Sequence, residues 1–203
     1  MNIQAMGDSA LLVETRDSVE AQKLRQALLA ESIPGLRQLV PGYNSLLLAA
    51  DPLVADLDAL VRRLPELLRT PQAAGSAKSH EIPVRYAGED LAAVAAELSM
   101  SAEEVVRRHS TASYTVAFLG FTPGFAYLTG LDPKLQLPRL ATPRTRTPEG
   151  AVAMAGEFTG VYPRATPGGW RVLGLTSIKL FDPGRPSPAL FSPGDQVRFK
   201  VLP

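Results

Sequence analysis

The chain has 203 residues, a length that suits one medium-sized domain or two small ones. Hydrophobic residues make up 45% of the sequence, which is enough to bury a core and excludes a globally disordered chain. No apolar run reaches the roughly 18 residues of a membrane span, and no secretory signal pattern opens the chain. The absence of cysteine excludes disulfides, thiolate nucleophiles and cysteine metal sites, and it fits the reducing cytoplasm in which we expect the protein to act. Two histidines alone cannot supply a multi-histidine metal centre.

The charge is unevenly distributed, although the net charge is only +1. Residues 79–132 hold three Lys or Arg against seven Asp or Glu, whereas residues 133–203 hold ten against four. The small net charge argues against a general nucleic-acid binder. The basic excess at the C-terminal end is typical of a solvated surface, and it also fits a local site for a carboxylate or a phosphate.

The first 78 residues alternate short apolar runs with helical patterns, which predicts an α+β domain. One helix should begin after Asp17 or Ser18, either of which can cap it, and end before the Pro34–Gly35 stop. The order strand–helix–strand–strand–helix, with room for a further strand, suggests a ferredoxin-like unit. The strand patterns cover residues 9–13, 36–40 and 45–50.

A second helix is predicted to open at Asp51 and Pro52, with Asp51 as its N-cap. Its buried stripe would run from Leu53 to Leu64, and Pro65 should bend or end it. The small and polar segment 71–79 then predicts a linker, so that the first domain covers residues 1–78.

The remainder, residues 79–203, predicts a mostly β domain. A strand at 81–86 and two helices, at 89–98 and 101–109, come first, and Ser101–Glu104 matches a capping box. Beyond residue 112, turns rich in proline and glycine separate short strands, which indicates a barrel or a sandwich. The strand patterns lie at 114–120, 151–155, 170–176, 178–181 and 197–201.

Segment 120–128 is the densest unusual stretch, because a proline and two glycines fix its backbone around three aromatic residues. Such a loop packs a corner of the core or lines a small-molecule pocket. Arg139 and Arg144 each follow a proline, and a rigidly placed guanidinium suits the binding of a carboxylate or a phosphate. The sequence is equally compatible with two arginines that are merely exposed in loops. The Pro-Gly-Gly sequence before Trp170 fits either an anion nest or an ordinary tight turn.

His109 ends a predicted helix, where it serves as a general base or interacts with the helix dipole. The sequence has no phosphate-binding loop, dinucleotide fingerprint, nucleophile elbow or zinc-protease motif, and its scattered carboxylates predict no metal site. The residues alone therefore indicate a two-domain protein with an aromatic and arginine-lined site on its β half, and they name no reaction.

A dozen short motifs, taken in their order and spacing, resemble those of the KipI, or allophanate hydrolase subunit 1, family. The similarity covers nearly the whole chain, from Gly7–Val13 to Pro193–Asp195. It implies an α+β chain with an N-terminal ferredoxin-like domain and a C-terminal cyclophilin-like β-barrel. The central motifs lie at 120–128, 138–139, 143–144, 159–163 and 167–170.

The resemblance also implies the B component of an ATP-dependent 5-oxoprolinase, which opens 5-oxoproline (pyroglutamate) to L-glutamate. A homologue of the C component and a third, A-type component would be its partners in a hetero-oligomer, and ATP with Mg²⁺ would be a co-substrate rather than a permanently bound cofactor. Two alternatives stay open: an interaction module that inhibits a sensor histidine kinase, and half of a biotin-dependent urea or allophanate-type carboxyltransferase. No nucleic acid or membrane is expected as a partner.

On this basis we predict three catalytic residues, His109, Arg139 and Arg144. Two arginines that the family usually has are replaced by Leu140 and Leu175, which removes two cations from the predicted site. The predicted substrate or nucleotide pocket consists of Phe121, Pro123, Gly124, Phe125, Tyr127, Tyr162, Gly168, Gly169, Trp170 and Thr176.

Overall fold

The computed structural model describes residues 2–69 and 77–203 of the chain. The backbone contacts divide it into two compact units, Met1–Ala77 and Lys78–Pro203. The predicted linker 71–79 falls largely outside the described residues, and the independence of each unit as a domain stays a prediction. Among the helices that are described, none is long and apolar enough to cross a membrane.

The first unit is a four-stranded antiparallel sheet packed with two helices, which confirms the predicted α+β class. Its core consists of leucines from both helices and from the central strands, among them the fully buried Leu24, Leu46 and Leu64. The elements are β1 (Ile3–Ala5), β2 (Ala10–Glu14), α1 (Ser18–Ala30), β3 (Leu36–Pro41), β4 (Ser45–Ala50) and α2 (Leu57–Arg69).

The strand order in this sheet is β1-β2-β4-β3. No sequence pattern placed a strand before residue 9, but the structure has one there, β1, which pairs antiparallel with β2, with Ile3 opposite Val13. Asp17 caps α1 as predicted, because its carboxylate accepts the N–H of Glu20 at 2.8 Å.

The predicted start of the second helix is wrong. A turn follows Asp51 instead, in which its carboxylate accepts the N–H of Leu53 at 3.1 Å and pairs with Arg37. The N-cap is Asp56, whose carboxylate accepts the N–H of Ala59 at 2.8 Å. Leu53 is 94% exposed because it lies in the turn and not on the buried helical stripe.

Pro65 does not end α2, which continues to Arg69. A proline inside a helix lacks the N–H that would donate to the carbonyl one turn earlier. The helix tolerates this loss because Leu60, Leu64 and Leu67 stay on one buried face on both sides of the proline.

The second unit contains a seven-stranded sheet, a two-stranded ribbon, two helices and one turn of 3₁₀ helix at Pro133–Leu135. The elements are β5 (Ser79–Val84), α3 (Leu91–Glu97), α4 (Ala102–Thr111), β6 (Tyr114–Leu119), β7 (Ala126–Thr129), β8 (Arg144–Thr147), β9 (Ala151–Ala155), β10 (Phe158–Val161), β11 (Thr166–Gly168), β12 (Arg171–Leu175) and β13 (Gln196–Val201). The sheet order is β12-β9-β10-β7-β6-β13-β5, and β11 with β8 forms the ribbon.

The two edges of the seven-stranded sheet meet, so that the sheet forms a nearly closed barrel. Arg85, just beyond β5, exchanges two backbone hydrogen bonds of 2.9 Å with Leu175 of β12. The N–H of Gly88 then donates to the carbonyl of Leu173 at 3.0 Å. A Cβ on Gly88 would lie 2.3 Å from the carbonyl oxygen of Val172, so this approach requires glycine. The predicted barrel is thereby confirmed.

One predicted strand of this unit is wrong, and several strands were not predicted. Segment 178–181 is irregular, and only Phe181 forms a single bridge, with Ala189. Three prolines follow within 183–188 and remove the N–H donors that a partner strand would need. The strands missed by the sequence patterns are β1, β7, β10 and the β8–β11 ribbon.

His109 lies in the barrel core with no exposed surface. The hydroxyl of Thr159 donates to the carbonyl of Ala153 at 2.9 Å, so it accepts its 2.8 Å hydrogen bond from Nε2 of His109. Nδ1 therefore accepts the 2.7 Å hydrogen bond of the Tyr86 hydroxyl. The ring stacks on Phe199 at 4.7 Å. Burial lowers the pKa of His109 to about 3, which keeps the imidazole neutral.

We expect Gly88→Ala to lower the free energy of unfolding of the barrel unit by about 3 kcal/mol, because the new methyl group collides with the backbone of β12. Gly184→Ala is the matched control, since a Cβ there meets no atom closer than 3.4 Å. Denaturant unfolding followed by fluorescence of Trp170, the chain's single tryptophan, measures both. Equal midpoints for the two variants would contradict the proposed close approach.

The neutral state of His109 predicts a pH dependence of stability. An unfolded histidine binds a proton below a pKa of about 6.5, whereas the folded one stays neutral down to about 3. The stabilisation is therefore complete above the unfolded pKa and is lost as the pH falls towards the folded pKa. Between neutral pH and about pH 5 this loss amounts to roughly 2 kcal/mol.

The comparison of the wild type with His109→Gln isolates this contribution, because every other titrating group is common to both. We expect the free energy of unfolding of the variant to fall less steeply on acidification. Parallel pH profiles of the two proteins would show that His109 is not held neutral in the folded chain.

Candidate functional site

A pocket of about 260 Å³ on the barrel unit brings together seven of the ten predicted pocket residues. It also includes Arg139, one of the three predicted catalytic residues. The lining consists of Phe121, Phe125, Tyr127, Arg139, Pro143, Tyr162, Pro167, Gly168, Gly169 and Trp170. The two prolines, Pro143 and Pro167, were not predicted as lining residues, although each belongs to one of the motifs that the sequence analysis singled out.

Edge-to-face aromatic contacts build the walls of the pocket. The ring of Phe125 lies 5.3 Å from that of Trp170, at 83°, and 5.3 Å from that of Tyr162, at 75°. Tyr127 and Trp170 are 5.5 Å apart at 74°. Aromatic pairs favour such perpendicular arrangements, so the rings hold one another in place before any ligand binds.

Glycines behind the aromatic rings make this packing possible. A Cβ on Gly160 of β10 would lie 2.8 Å from the carbonyl oxygen of Ala126 and 3.2 Å from the ring of Phe125. A Cβ on Gly168 would lie 2.4 Å from the hydroxyl of Tyr162. A larger residue at either position would displace the wall it supports.

The turn that carries Phe121 shapes the mouth of the pocket. Phe121 has a positive φ of 64°, uncommon outside glycine, and its side chain is 58% exposed. Gly124 has a φ of 83°, and a Cβ there would lie 2.7 Å from that of Phe181. Gly124 and the neighbouring Pro123, which were predicted as pocket residues, do not line the pocket. They form the turn that places Phe121 and Phe125 in its lining.

Arg139 is the charged residue of the pocket. Its side chain is exposed, and within residues 2–69 and 77–203 no hydrogen bond or ion pair engages its guanidinium. Burial raises the pKa of the Tyr127 hydroxyl, and the positive charge of Arg139 opposes that rise. The guanidinium is thus available to an anionic ligand at the pocket.

Arg144, in contrast, is engaged within the protein. Its Nε pairs with Glu89 at 2.8 Å, its Nη2 donates to the carboxylate of Asp90, and its Nη1 donates to the carbonyl of Trp170 at 3.2 Å. The other oxygen of Asp90 accepts the N–H of Val172 at 2.6 Å. The structure therefore makes Arg144 a support of the pocket wall and leaves no free face for the predicted anion contact.

Arg171 is likewise internal and supports the loop that carries Arg139. Its Nε donates to the carbonyl of Pro138 at 2.9 Å, and its two terminal nitrogens reach Glu97 at 2.7 and 3.3 Å. Because Pro138 immediately precedes Arg139, this contact fixes the start of the segment that brings Arg139 to the pocket.

Two predicted site residues lie away from this pocket. His109 is sealed in the barrel core with both ring nitrogens hydrogen-bonded, so its position is structural rather than catalytic. Thr176 lines a separate cavity of about 400 Å³ beside Leu175 and Arg85. Of the predicted catalytic set, the pocket lining therefore includes Arg139 alone.

The lining of the pocket is mainly aromatic and carries one cation, and its described residues lack the side chains that most often act as general acids or bases. Its titratable residues are Arg139, Tyr127 and Tyr162, and burial raises the pKa of both tyrosines. Within residues 2–69 and 77–203, no carboxylate or imidazole lines it. In the part of the chain that the structure describes, no group of three or more His, Asp or Glu side chains is placed to hold a metal ion.

A larger and more open groove, of about 810 Å³, lies between α4 and the end of β13. Aliphatic side chains such as Val106 and Leu202 dominate it, with Arg85, Glu103 and Arg107 among its polar lining residues. It holds none of the predicted site residues, so the smaller aromatic pocket is the candidate site.

Curated proteins similar to this chain share one name, that of the B component of 5-oxoprolinase. The relative from Escherichia coli O157:H7 is 54% identical over 122 residues, which is 59% of this chain and 56% of that protein. Relatives of the same name from Haemophilus influenzae and Bacillus subtilis are each 46% identical. These matches span little more than half the length of the curated relatives.

Solved structures and a family match cover more of the chain. The crystal structure of TTHA0988 is 42% identical with a TM-score of 0.80, over 96% of this chain and 40% of that one. The uncharacterized protein PH0987 from Pyrococcus horikoshii is 36% identical with a TM-score of 0.60, over 99% of this chain and 97% of that one. Since the family described as carboxyltransferase domain, subdomain C and D, matches residues 1–191, the chain belongs to that family.

Proposed function

We propose that the protein is the B component of an ATP-dependent 5-oxoprolinase. In this proposal it acts in the cytoplasm with homologues of the C and A components of that enzyme, and converts 5-oxoproline to L-glutamate with Mg²⁺-bound ATP as co-substrate. The shared name of the bacterial relatives, at 46% to 54% identity, supports this assignment. The family match over residues 1–191 supports it as well.

The observation that carries the proposal is a preformed pocket whose described lining offers a free cation and neither a carboxylate nor an imidazole. A lactam is a poor electrophile. Transfer of the terminal phosphoryl group of ATP to its carbonyl oxygen releases ADP and activates the carbonyl carbon. Water then adds to that carbon, the ring C–N bond breaks to release the amine, and hydrolysis of the resulting acyl phosphate gives L-glutamate and phosphate. Such phosphoryl chemistry depends mainly on positioning and on charge stabilisation. This chain would supply part of the positioning, and the partner components would supply the rest, so the chain alone should be inactive.

The family description favours a second candidate, transfer of a carboxyl group. That reaction would require a biotin carrier and a biotin carboxylase in place of the direct use of ATP on the lactam. The two candidates therefore differ in whether ATP turnover depends on biotin.

The test is release of ADP that depends on 5-oxoproline. We expect ADP and glutamate to form only when this chain and the C and A components are mixed, and not with any one omitted. No turnover from a stable complex of all three would contradict the oxoprolinase assignment, and dependence on biotin would favour carboxyl transfer. Failure to form a complex at all would instead favour an interaction module.

The two predicted site arginines should behave differently when replaced. Arg144→Ala leaves Asp90 without its guanidinium partner and frees the carbonyl of Trp170, so we expect the barrel unit to lose about 2–3 kcal/mol of stability. Arg139→Ala removes no internal contact, so its unfolding midpoint should equal that of the wild type. Denaturant unfolding monitored at Trp170 separates the two outcomes.

In the assembled enzyme, Arg139→Ala should raise the KM for 5-oxoproline while the protein remains folded. Arg198→Ala is the matched control, because it removes an exposed arginine of β13 that lies outside the pocket lining. If Arg139→Ala destabilises the protein, Arg139 makes an internal contact and is not free. If Arg144→Ala has wild-type stability, Arg144 does not support the pocket wall.

A further inference from the structure

The charges around the pocket fit a ligand with a single negative charge. Among the described residues, Arg139 is the only charged one that lines the pocket. Arg144 and Arg171 lie nearby in the fold, but their guanidinium groups are committed to Asp90, Glu89 and Glu97. A monoanion would therefore meet one unpaired cation, with no lining carboxylate to repel it.

The size and the walls of the pocket fit a small ring. A volume of about 260 Å³ enclosed by perpendicular aromatic rings suits a compact five-membered ring. The edge-to-face packing of Phe125, Tyr127 and Trp170 leaves these walls preformed, so binding costs little ordering of side chains. An acidic lactam matches both features, because its ring is compact and its charge is a single carboxylate.

Mg²⁺-bound ATP does not fit the same residues. Its triphosphate carries several negative charges, which would meet Arg139 alone. The lining includes no carboxylate to share the Mg²⁺ ion, and the pocket does not lie at the start of a long helix, where backbone N–H groups cradle phosphates. ATP also has more than three times as many non-hydrogen atoms as 5-oxoproline, so a pocket of about 260 Å³ would cover only part of it.

We infer that this pocket is the site for the lactam acid of the reaction, and that Mg²⁺-bound ATP is held by a partner component. The inference rests on the proposed function. The carboxylate of 5-oxoproline pairs with Arg139, and its ring lies against Phe125 and Trp170. The lactam is thus presented at the pocket mouth, beside the exposed Phe121, to a phosphoryl donor that another chain carries.

The chain provides its own reporter for this site, because its only tryptophan, Trp170, lies in the pocket wall. We would titrate the full chain with 5-oxoproline and follow the fluorescence of Trp170. Parallel titrations would use 2-pyrrolidinone, which lacks the carboxylate, cyclopentanecarboxylate, which lacks the amide, and Mg²⁺-bound ATP. We expect a saturable change with 5-oxoproline, a weaker one with cyclopentanecarboxylate, and none with the neutral lactam or with ATP.

Variants at one position then identify the anion contact. Arg139→Ala should weaken 5-oxoproline binding roughly ten- to hundredfold, the loss typical of a charge-assisted hydrogen bond. Arg139→Lys keeps the charge without the planar fork and should restore part of the affinity. Arg198→Ala should bind as the wild type does.

Three results would overturn the inference. These are competition of Mg²⁺-bound ATP with 5-oxoproline at Trp170, equal binding of the neutral lactam, and an absence of 5-oxoproline binding both in the chain alone and in the assembled enzyme. ATP turnover by the complete enzyme, measured in parallel, tests the proposed function separately. A complex that turns over with an unchanged KM in Arg139→Ala contradicts the assigned pocket alone, whereas a complex without 5-oxoproline turnover contradicts the function.

Discussion

A buried carboxylate, that of Asp90, joins the parts of the barrel on which the aromatic pocket depends. One oxygen accepts the N–H of Val172 in β12, and the other accepts from the guanidinium of Arg144 in β8. Arg144 in turn holds the carbonyl of Trp170. Because a buried charge is costly without a partner, this network ties the start of α3, the β8–β11 ribbon and the pocket wall into one arrangement. The barrel closure by Arg85 and Leu175 lies at the end of the same strand β12.

The network also explains how the basic C-terminal third of the chain uses its charges. Several of its cations pair with the acidic excess of residues 79–132: Arg144 with Glu89 and Asp90, Arg171 with Glu97, and Lys200 with Glu81. The uneven charge of the sequence is therefore explained in part by ion pairs between these two segments. Arg139 takes part in none of these ion pairs and lines the aromatic pocket instead. This separates Arg139, which is available to a ligand, from Arg144 and Arg171, which support the structure.

Local patterns were sufficient for much of the fold and for the aromatic part of the pocket. The cap at Asp17 and strand β9 follow from neighbours in sequence, and the turn glycines of segment 120–128 indicated where aromatic rings would gather. The roles of Arg144 and His109 were not predictable in the same way. Their partners, Asp90 and Thr159, lie 54 and 50 residues away in the chain, so only the closed barrel reveals which side chain is engaged. The predicted strand at 178–181 is wrong because its apolar residues pack into the barrel core although no neighbouring strand pairs with them. Their pattern in the sequence does not show whether a partner strand is present.

The most direct test of this account is a crystal structure of the chain grown with saturating 5-oxoproline. The account predicts the ligand in the aromatic pocket, its carboxylate hydrogen-bonded to the guanidinium of Arg139 and its ring against Trp170, with the contact between Arg144 and Asp90 unchanged. Density for 5-oxoproline at another site, or a pocket in which Arg144 leaves Asp90 to bind the ligand, would contradict the division between the binding arginine and the structural one.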